Sequence, residues 1–419
     1  MFKRTKLDNG VRIVYEQIPY VRSVSIGIWV GTGSRYESRG NNGVSHFIEH
    51  LLFKGTENRT AREIADSIDS IGGQLNAFTG KECTCFYTKT LDTHAEIALD
   101  VLTDMFFHSR FDKKDIDVER KVVIEEIGMY EDSPEELVHD ILSECAWEGN
   151  SLGFPILGTS DSLSGIERDE IMSYMNKNYL PQKTVIAVAG NFAEDKMVSL
   201  IKDRFSAWKV LESTPRECGS AEFNAGIKIK EKDTEQIHIC FAFEGIEHGD
   251  DDLYPLLTVN NVFGGGMSSR LFQKIREELG LVYSIYSYPS SYKKTGLFTI
   301  YAGMNPEHLE RVLELVLKET ELIIKEGISK DEFEKSREQL KGNYILGLES
   351  TSSRMNSIGK AEVLTGKIYT PDEILKKIDE VNIDRVEQVI KRIFNLNRIC
   401  FSAVGNFKKD IDIKSILGK

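Results

Sequence analysis

Two of the eight histidines in this chain fall within five residues of each other, in the pentapeptide HFIEH at positions 46–50. The surrounding stretch GVSHFIEHLLFKG has no helix breaker between Gly43 and Gly55, and its apolar residues follow helical spacing. Residues four apart share a helix face, so His46 and His50 can reach one metal ion together. Glu49 lies three residues after His46 on the same side, with its carboxylate beside the position a metal would leave open. The order H-x-x-E-H reverses H-E-x-x-H and offers the same groups, two imidazole ligands and a general base. A lone histidine on such a face is ordinarily a packed residue; a pair with a glutamate at this spacing is a chemical signature.

Two ligands do not make a catalytic metal site, which needs a third protein ligand and a vacancy for water. The stretch VERKVVIEEIGMYEDSP, 118–134, supplies three acidic candidates on a second expected helix. Glu119 and Glu126 are seven apart and share a face, whereas Glu125 is rotated off it by roughly 100°. Standing alone, this helix would read as a solvated acidic surface.

The pentad followed by this acidic helix resembles the pitrilysin/insulinase-type zinc peptidases, and within them the bacterial relatives of the mitochondrial processing peptidase. The resemblance covers nearly the whole chain. It implies one Zn2+ per chain held by His46, His50 and Glu126, with Glu49 as general base. It also implies that Glu119 stands behind the ligands, orienting one or tuning the metal's charge. The segment GGQLNAFTGKECTCFYTKT, 72–90, resembles the edge strand on which these enzymes lay an extended peptide, so Asn76 and Ala77 are expected to line the substrate. Arg276 and Tyr283 match the family's Arg-x6-Tyr pair, a cation and a phenol suited to a peptide carbonyl and its developing oxyanion. The implied activity is a metalloendopeptidase acting on flexible or unfolded peptides. Family members build a chamber from four domains, so two per chain imply a homodimer in which Arg276 and Tyr283 act on the partner chain's site. The same family holds non-catalytic structural subunits; the intact set His46, Glu49, His50 and Glu126 separates this chain from them.

The elements that must position these groups come in two echoing halves. TVIAVAGNF, 184–192, and RICFSAVGNF, 398–407, are apolar runs closing on Gly-Asn-Phe, and Gly190 and Gly405 differ by 215 positions. The same offset sets Glu119 on Glu334. Strand-like alternation opens each half and long helical patterns follow. The expected fold is α+β: two homologous domains from an internal duplication, each a mostly antiparallel sheet backed by helices. The N-terminal domain is expected over 1–212 and its metal-free homologue over 227–419, joined by a Pro-, Gly- and Ser-rich linker at 213–226. In the second half Leu256, Val259 and Asn260 replace the ligands and base, and Lys341 stands at the offset of Glu126. Its glycine run GGGMSSRLFQ lacks the lysine of a phosphate-binding loop, which argues against nucleotide binding.

At 419 residues the chain is long enough for two domains, and its net charge of −13 leaves no basic excess for a nucleic-acid backbone. MFKRTKLDNG has no apolar core of a signal peptide, and no run approaches a membrane span. The six cysteines show no paired metal spacing. Reduced thiols in a cytoplasm fit them best, and no nucleic-acid or membrane partner is expected.

Overall fold

The structure is a computed structural model that describes residues 2–209, 219–407, 412–416 and 418. The first part of the expected linker, from 213 to 218, lies outside the described residues. Among the described residues, no helix is long and apolar enough to cross a membrane.

The first sheet contains β1 (Phe2–Lys6), β2 (Arg12–Gln17), β3 (Ser23–Val30), β4 (Gln74–Thr79), β5 (Thr84–Leu91) and β6 (Thr184–Gly190). Their order is β1-β2-β6-β3-β5-β4, so β4 is an edge. All pairings are antiparallel except β2 with β6. The alternation in β3 explains why both faces are covered. Val24, Ile26, Ile28 and Val30 enter the main core of this sheet, while Trp29 enters a second cluster on the opposite face. On the main-core side lie α1 (Val44–Leu52), α2 (Ala61–Asp69), α3 (Ala95–His108) and the first part of α4 (Lys113–Asp132).

The second sheet contains β7 (Ile227–Glu231), β8 (Ile237–Glu244), β9 (Val282–Tyr292), β10 (Thr295–Met304) and β11 (Cys400–Gly405), in the order β7-β11-β8-β10-β9. Shifting the first half by 215 residues carries β2, β3, β4, β5 and β6 onto β7, β8, β9, β10 and β11. The second order then reproduces the first without β1, and again one pairing, β7 with β11, is parallel. The duplicated α+β architecture is therefore present in the strand order itself.

The outer faces hold a feature the repeat does not announce. Helix α5 (Pro134–Ala146) comes from the first half in sequence, yet Val138, Ile141 and Leu142 pack against Cys240, Ala242 and Val404 of the second sheet. Its counterpart Thr351–Leu364 comes from the second half and packs Met355 and Ile358 on Val14, Trp29 and Val185 of the first sheet. The compact units are consequently interleaved in sequence. One comprises Met1–Ile127, Phe154–Cys218 and Ile345–Thr370 in its described part, and the other the remainder.

Candidate metal centre

The site grows from the start of α1. The chain leaves β3, turns through Ser34–Tyr36 and enters the helix at Gly43, whose φ of +92° is a left-handed conformation. A Cβ at Gly43 would also stand 2.5 Å from the Leu157 carbonyl oxygen, so only glycine fits there. Val44, Phe47, Ile48, Leu51 and Leu52 bury one side of α1 in the core. That packing turns His46, Glu49 and His50 toward α4 and β4.

Helix α4 meets them with its own inward face. Ile116, Glu119, Val123 and Ile127 are buried, Glu126 is half-buried and Glu125 is exposed. His50 Nε2 lies 3.4 Å and His46 Nε2 3.8 Å from the same Glu126 oxygen. One ligand atom from each of the three residues falls within 4.8 Å of the others. Tetrahedral ligands about 2.1 Å from a zinc ion stand about 3.4 Å apart, so the cluster matches such an ion with little movement. Two imidazoles and one carboxylate are also the donor set of an open, catalytic zinc site.

The structure places Glu119 behind His50, with its Oε2 3.2 Å from His50 Nδ1 and its Oε1 2.6 Å from Lys54 Nζ. Held this way, Nδ1 carries the proton and Nε2 is left to face the metal. Among the described residues His46 has no such partner, and its buried Nδ1 makes no hydrogen bond with any of them. Burial pushes the His46 imidazole down to about 4, with His50 adding to the shift. A neutral imidazole is the form that ligates a metal.

Glu49 receives a hydrogen bond of 2.5 Å from the hydroxyl of Thr79, the last residue of β4. Burial pushes its carboxyl above the ordinary value; the Thr79 hydroxyl and His50 pull it back, and Glu126 pushes it further up. A carboxylate raised in this way is a better proton acceptor, as general-base work requires.

Asn76 is exposed and Ala77 half-buried on the edge strand, where the Asn76 side chain accepts a hydrogen bond from the Ala77 N–H at 2.8 Å. A cleft of about 650 Å3 opens beside this edge, lined among others by Phe53, Ile64, Ala65, Ile68, Leu75 and Asn76. Arg276 lies in the other unit on a π-helical turn, Phe272–Glu278, with its guanidinium 4.6 Å from the Phe272 ring centre. Tyr283 on β9 is 75% exposed. In that unit Leu256 and Val259 are fully buried in the apolar core, Asn260 bonds to Ser287, and Lys341 pairs with Glu338 and Asp379.

Lys54 and Thr79, which meet Glu119 and Glu49, are single polar residues with no spacing signature in the sequence. Only the contiguity of Lys54 with the pentad, one turn after His50, gave any signal.

Residues 12–160 match the family model described as Insulinase (Peptidase family M16), and residues 165–340 match the one described as Peptidase M16 inactive domain. An uncharacterized zinc protease of Bacillus subtilis is 48% identical over 396 residues, covering 94% of this chain and 96% of its own. One of Streptomyces coelicolor is 39% identical, over 97% and 90% of the two chains. Among solved structures, a protease from Helicobacter pylori superposes with a TM-score of 0.90 at 20% identity, over 96% of this chain and 99% of that one. A peptidase M16 inactive domain from Pseudomonas fluorescens does so at 0.90 and 17%, over 97% and 98%.

Proposed function

The chain belongs to peptidase family M16, and from that premise we propose that it is a zinc-dependent endopeptidase that hydrolyses flexible or unfolded peptides. The observation that carries this reading is the convergence of His46, His50 and Glu126 on one point, with Glu49 beside it. Bound there, zinc would supply a Lewis acid that lowers the pKa of water toward about 7 and polarises a carbonyl.

The chain's own groups supply the rest. Glu49 accepts the proton of the attacking water and returns it to the leaving amine, while Thr79 holds its second oxygen in place. Glu119 fixes the ring of His50. The free edge of β4 offers backbone groups to an extended peptide by strand addition, and the adjoining cleft has room for a side chain of that peptide. A folded substrate has no free strand to add, so the site selects unfolded segments.

We further propose a homodimer in which Arg276 and Tyr283 serve the partner chain's zinc. The alternative, a non-catalytic subunit, predicts no turnover despite bound metal. Metal content per chain should be one zinc in the wild type and near none in His46→Ala, with hydrolysis of an unfolded reporter peptide confined to the former. A wild-type chain that binds zinc and leaves every unfolded peptide intact would move it to the non-catalytic class.

A further inference from the structure

Between β3 and α1 the chain buries a carboxylate that takes no part in the chemistry described above. Glu37 is 1% exposed. Its Oε2 accepts hydrogen bonds from Asn42 Nδ2 at 2.9 Å and from the Gly43 N–H at 2.8 Å, and its Oε1 accepts one from the Ser45 N–H at 2.9 Å. Two of these donors are backbone groups at the first turn of α1, which have no partner inside the helix. The charge also meets the positive end of the helix dipole. A buried carboxylate is costly unless it is satisfied in this way, and its burial pushes the carboxyl upward while the same bonds pull it back.

His46 sits in the residue position directly after Ser45. Unlike His50, which Glu119 orients through Nδ1, His46 has a buried Nδ1 without any hydrogen bond. Its ring meets the His50 ring edge-on, 4.7 Å between centres, but no hydrogen bond at Nδ1 orients it, so the backbone that carries it does most of the aiming. That backbone is fixed by Glu37 from one side and by a second set of contacts from the other. Asn42 Nδ2 donates also to the Pro155 carbonyl at 2.9 Å, and Ser162 Oγ donates to the Asn42 carbonyl at 2.7 Å. The two ends of α1 are thus anchored by different carboxylates, Glu37 at the His46 end and Glu119 at the His50 end.

We propose that Glu37 is the positioning residue for His46: it holds the first turn of α1 so that His46 Nε2 points at the site shared with His50 and Glu126. The inference rests on the metal-binding reading above but concerns a residue that touches neither metal nor substrate.

The test is a coupling cycle on the full chain, read as zinc affinity by competition with a chelator. Glu37→Gln replaces one accepting oxygen by an NH2 that faces N–H donors, and should weaken zinc binding at least about tenfold. In a His50→Ala background the same loss should persist, because His46 is still there to be misaimed. In a His46→Ala background, which loses its zinc on purification but can be titrated at zinc concentrations high enough to fill the weakened site, it should vanish. At saturating Co2+, the visible spectrum should change with Glu37→Gln in the wild-type background and not in His46→Ala. If Glu37→Gln does not fold, Asn42→Ala, which removes one of the three donors, goes through the same cycle. Equal loss in both histidine backgrounds, or an unchanged affinity and spectrum with only a lower melting temperature, would overturn the proposal. A wild-type chain that binds no zinc would instead overturn the metal reading, and the two failures are told apart by the wild-type titration alone.

Discussion

Glu49 and Thr79 share one short hydrogen bond, and the division of labour between them is open to a simple chemical test. An amide in place of the Glu49 carboxylate still packs and still meets the Thr79 hydroxyl, but cannot accept a proton from water. Glu49→Gln should therefore retain zinc and lose at least about 10²-fold in kcat, the usual scale for a general base. Near-normal turnover with zinc bound would remove Glu49 from the mechanism. The helix phase of α4 gives a second test. Glu126 is turned toward both histidines while its neighbour Glu125 is exposed. Glu126→Gln should weaken zinc affinity at least about tenfold and Glu125→Gln should leave it unchanged, measured against a competing chelator. At this scale much was legible in the sequence, because His46, Glu49 and His50 are contiguous and helical geometry alone decides which of them meet. Glu37 and Thr79 were not legible. Each acts through one hydrogen-bonding group brought close by the fold, and a single Glu in GSRYES reads as surface until its burial is seen.

The elements divide along the same line. Strand-like alternation and the 215-residue repeat made the two echoing halves legible, the resemblance implied that 72–90 forms an edge strand, and the order of the strands within each sheet had no signal in the sequence. The exchange of the two outer helices did not, since an amphipathic face announces that a helix is buried but not against which sheet. The exchange is testable where the helix Thr351–Leu364 presses on Trp29. A Cβ at Gly359 would stand 2.3 Å from Trp29 Nε1, and Trp29 is 1% exposed. Gly359→Val should destabilise the protein by about 1–3 kcal/mol through overpacking, seen as a lower urea midpoint. On the other sheet α5 inserts His139 between Tyr288 Oη at 2.9 Å and Cys240 Sγ at 3.4 Å, stacked on Tyr301, with His238 nearby. Burial pushes the His139 imidazole down to about 4, helped by His238. The unfolded chain therefore takes up this proton first as pH falls below about 6.5, and stability is complete above that value and declines toward pH 4. Between pH 7 and pH 5 wild type should lose about 2 kcal/mol more than His139→Phe in urea unfolding. Identical pH dependence would mean that His139 is not held neutral against the second sheet.

At the scale of the whole molecule the question is where the second half does its work. It keeps the strand order of the first, but Leu256 and Asn260 stand where the two histidines were and Val259 where the base was, so among the described residues the first half's donor set has no counterpart there. It does present a cation and an exposed phenol, Arg276 and Tyr283, suited to a peptide carbonyl. With two domains per chain against the four that the resemblance leads one to expect in a closed chamber, a symmetric dimer would supply the missing pair, and those two residues would then act on the partner's zinc. Mixing a Glu49→Gln chain with an Arg276→Ala chain separates the arrangements. If Arg276 acts across the dimer, each mixed dimer has one site with both defects and one site with neither. Random exchange of equal amounts then restores about a quarter of the wild-type sites, since half of the dimers are mixed and each has one intact site of two. If Arg276 acts within its own chain, every site carries one defect and mixing restores nothing. A flat mixing curve, with subunit exchange shown separately by a tagged chain, would rule out a shared site. Chains that open and close around a bound peptide in this way would admit substrates by size and flexibility, the same selection that strand addition at β4 would impose within each site.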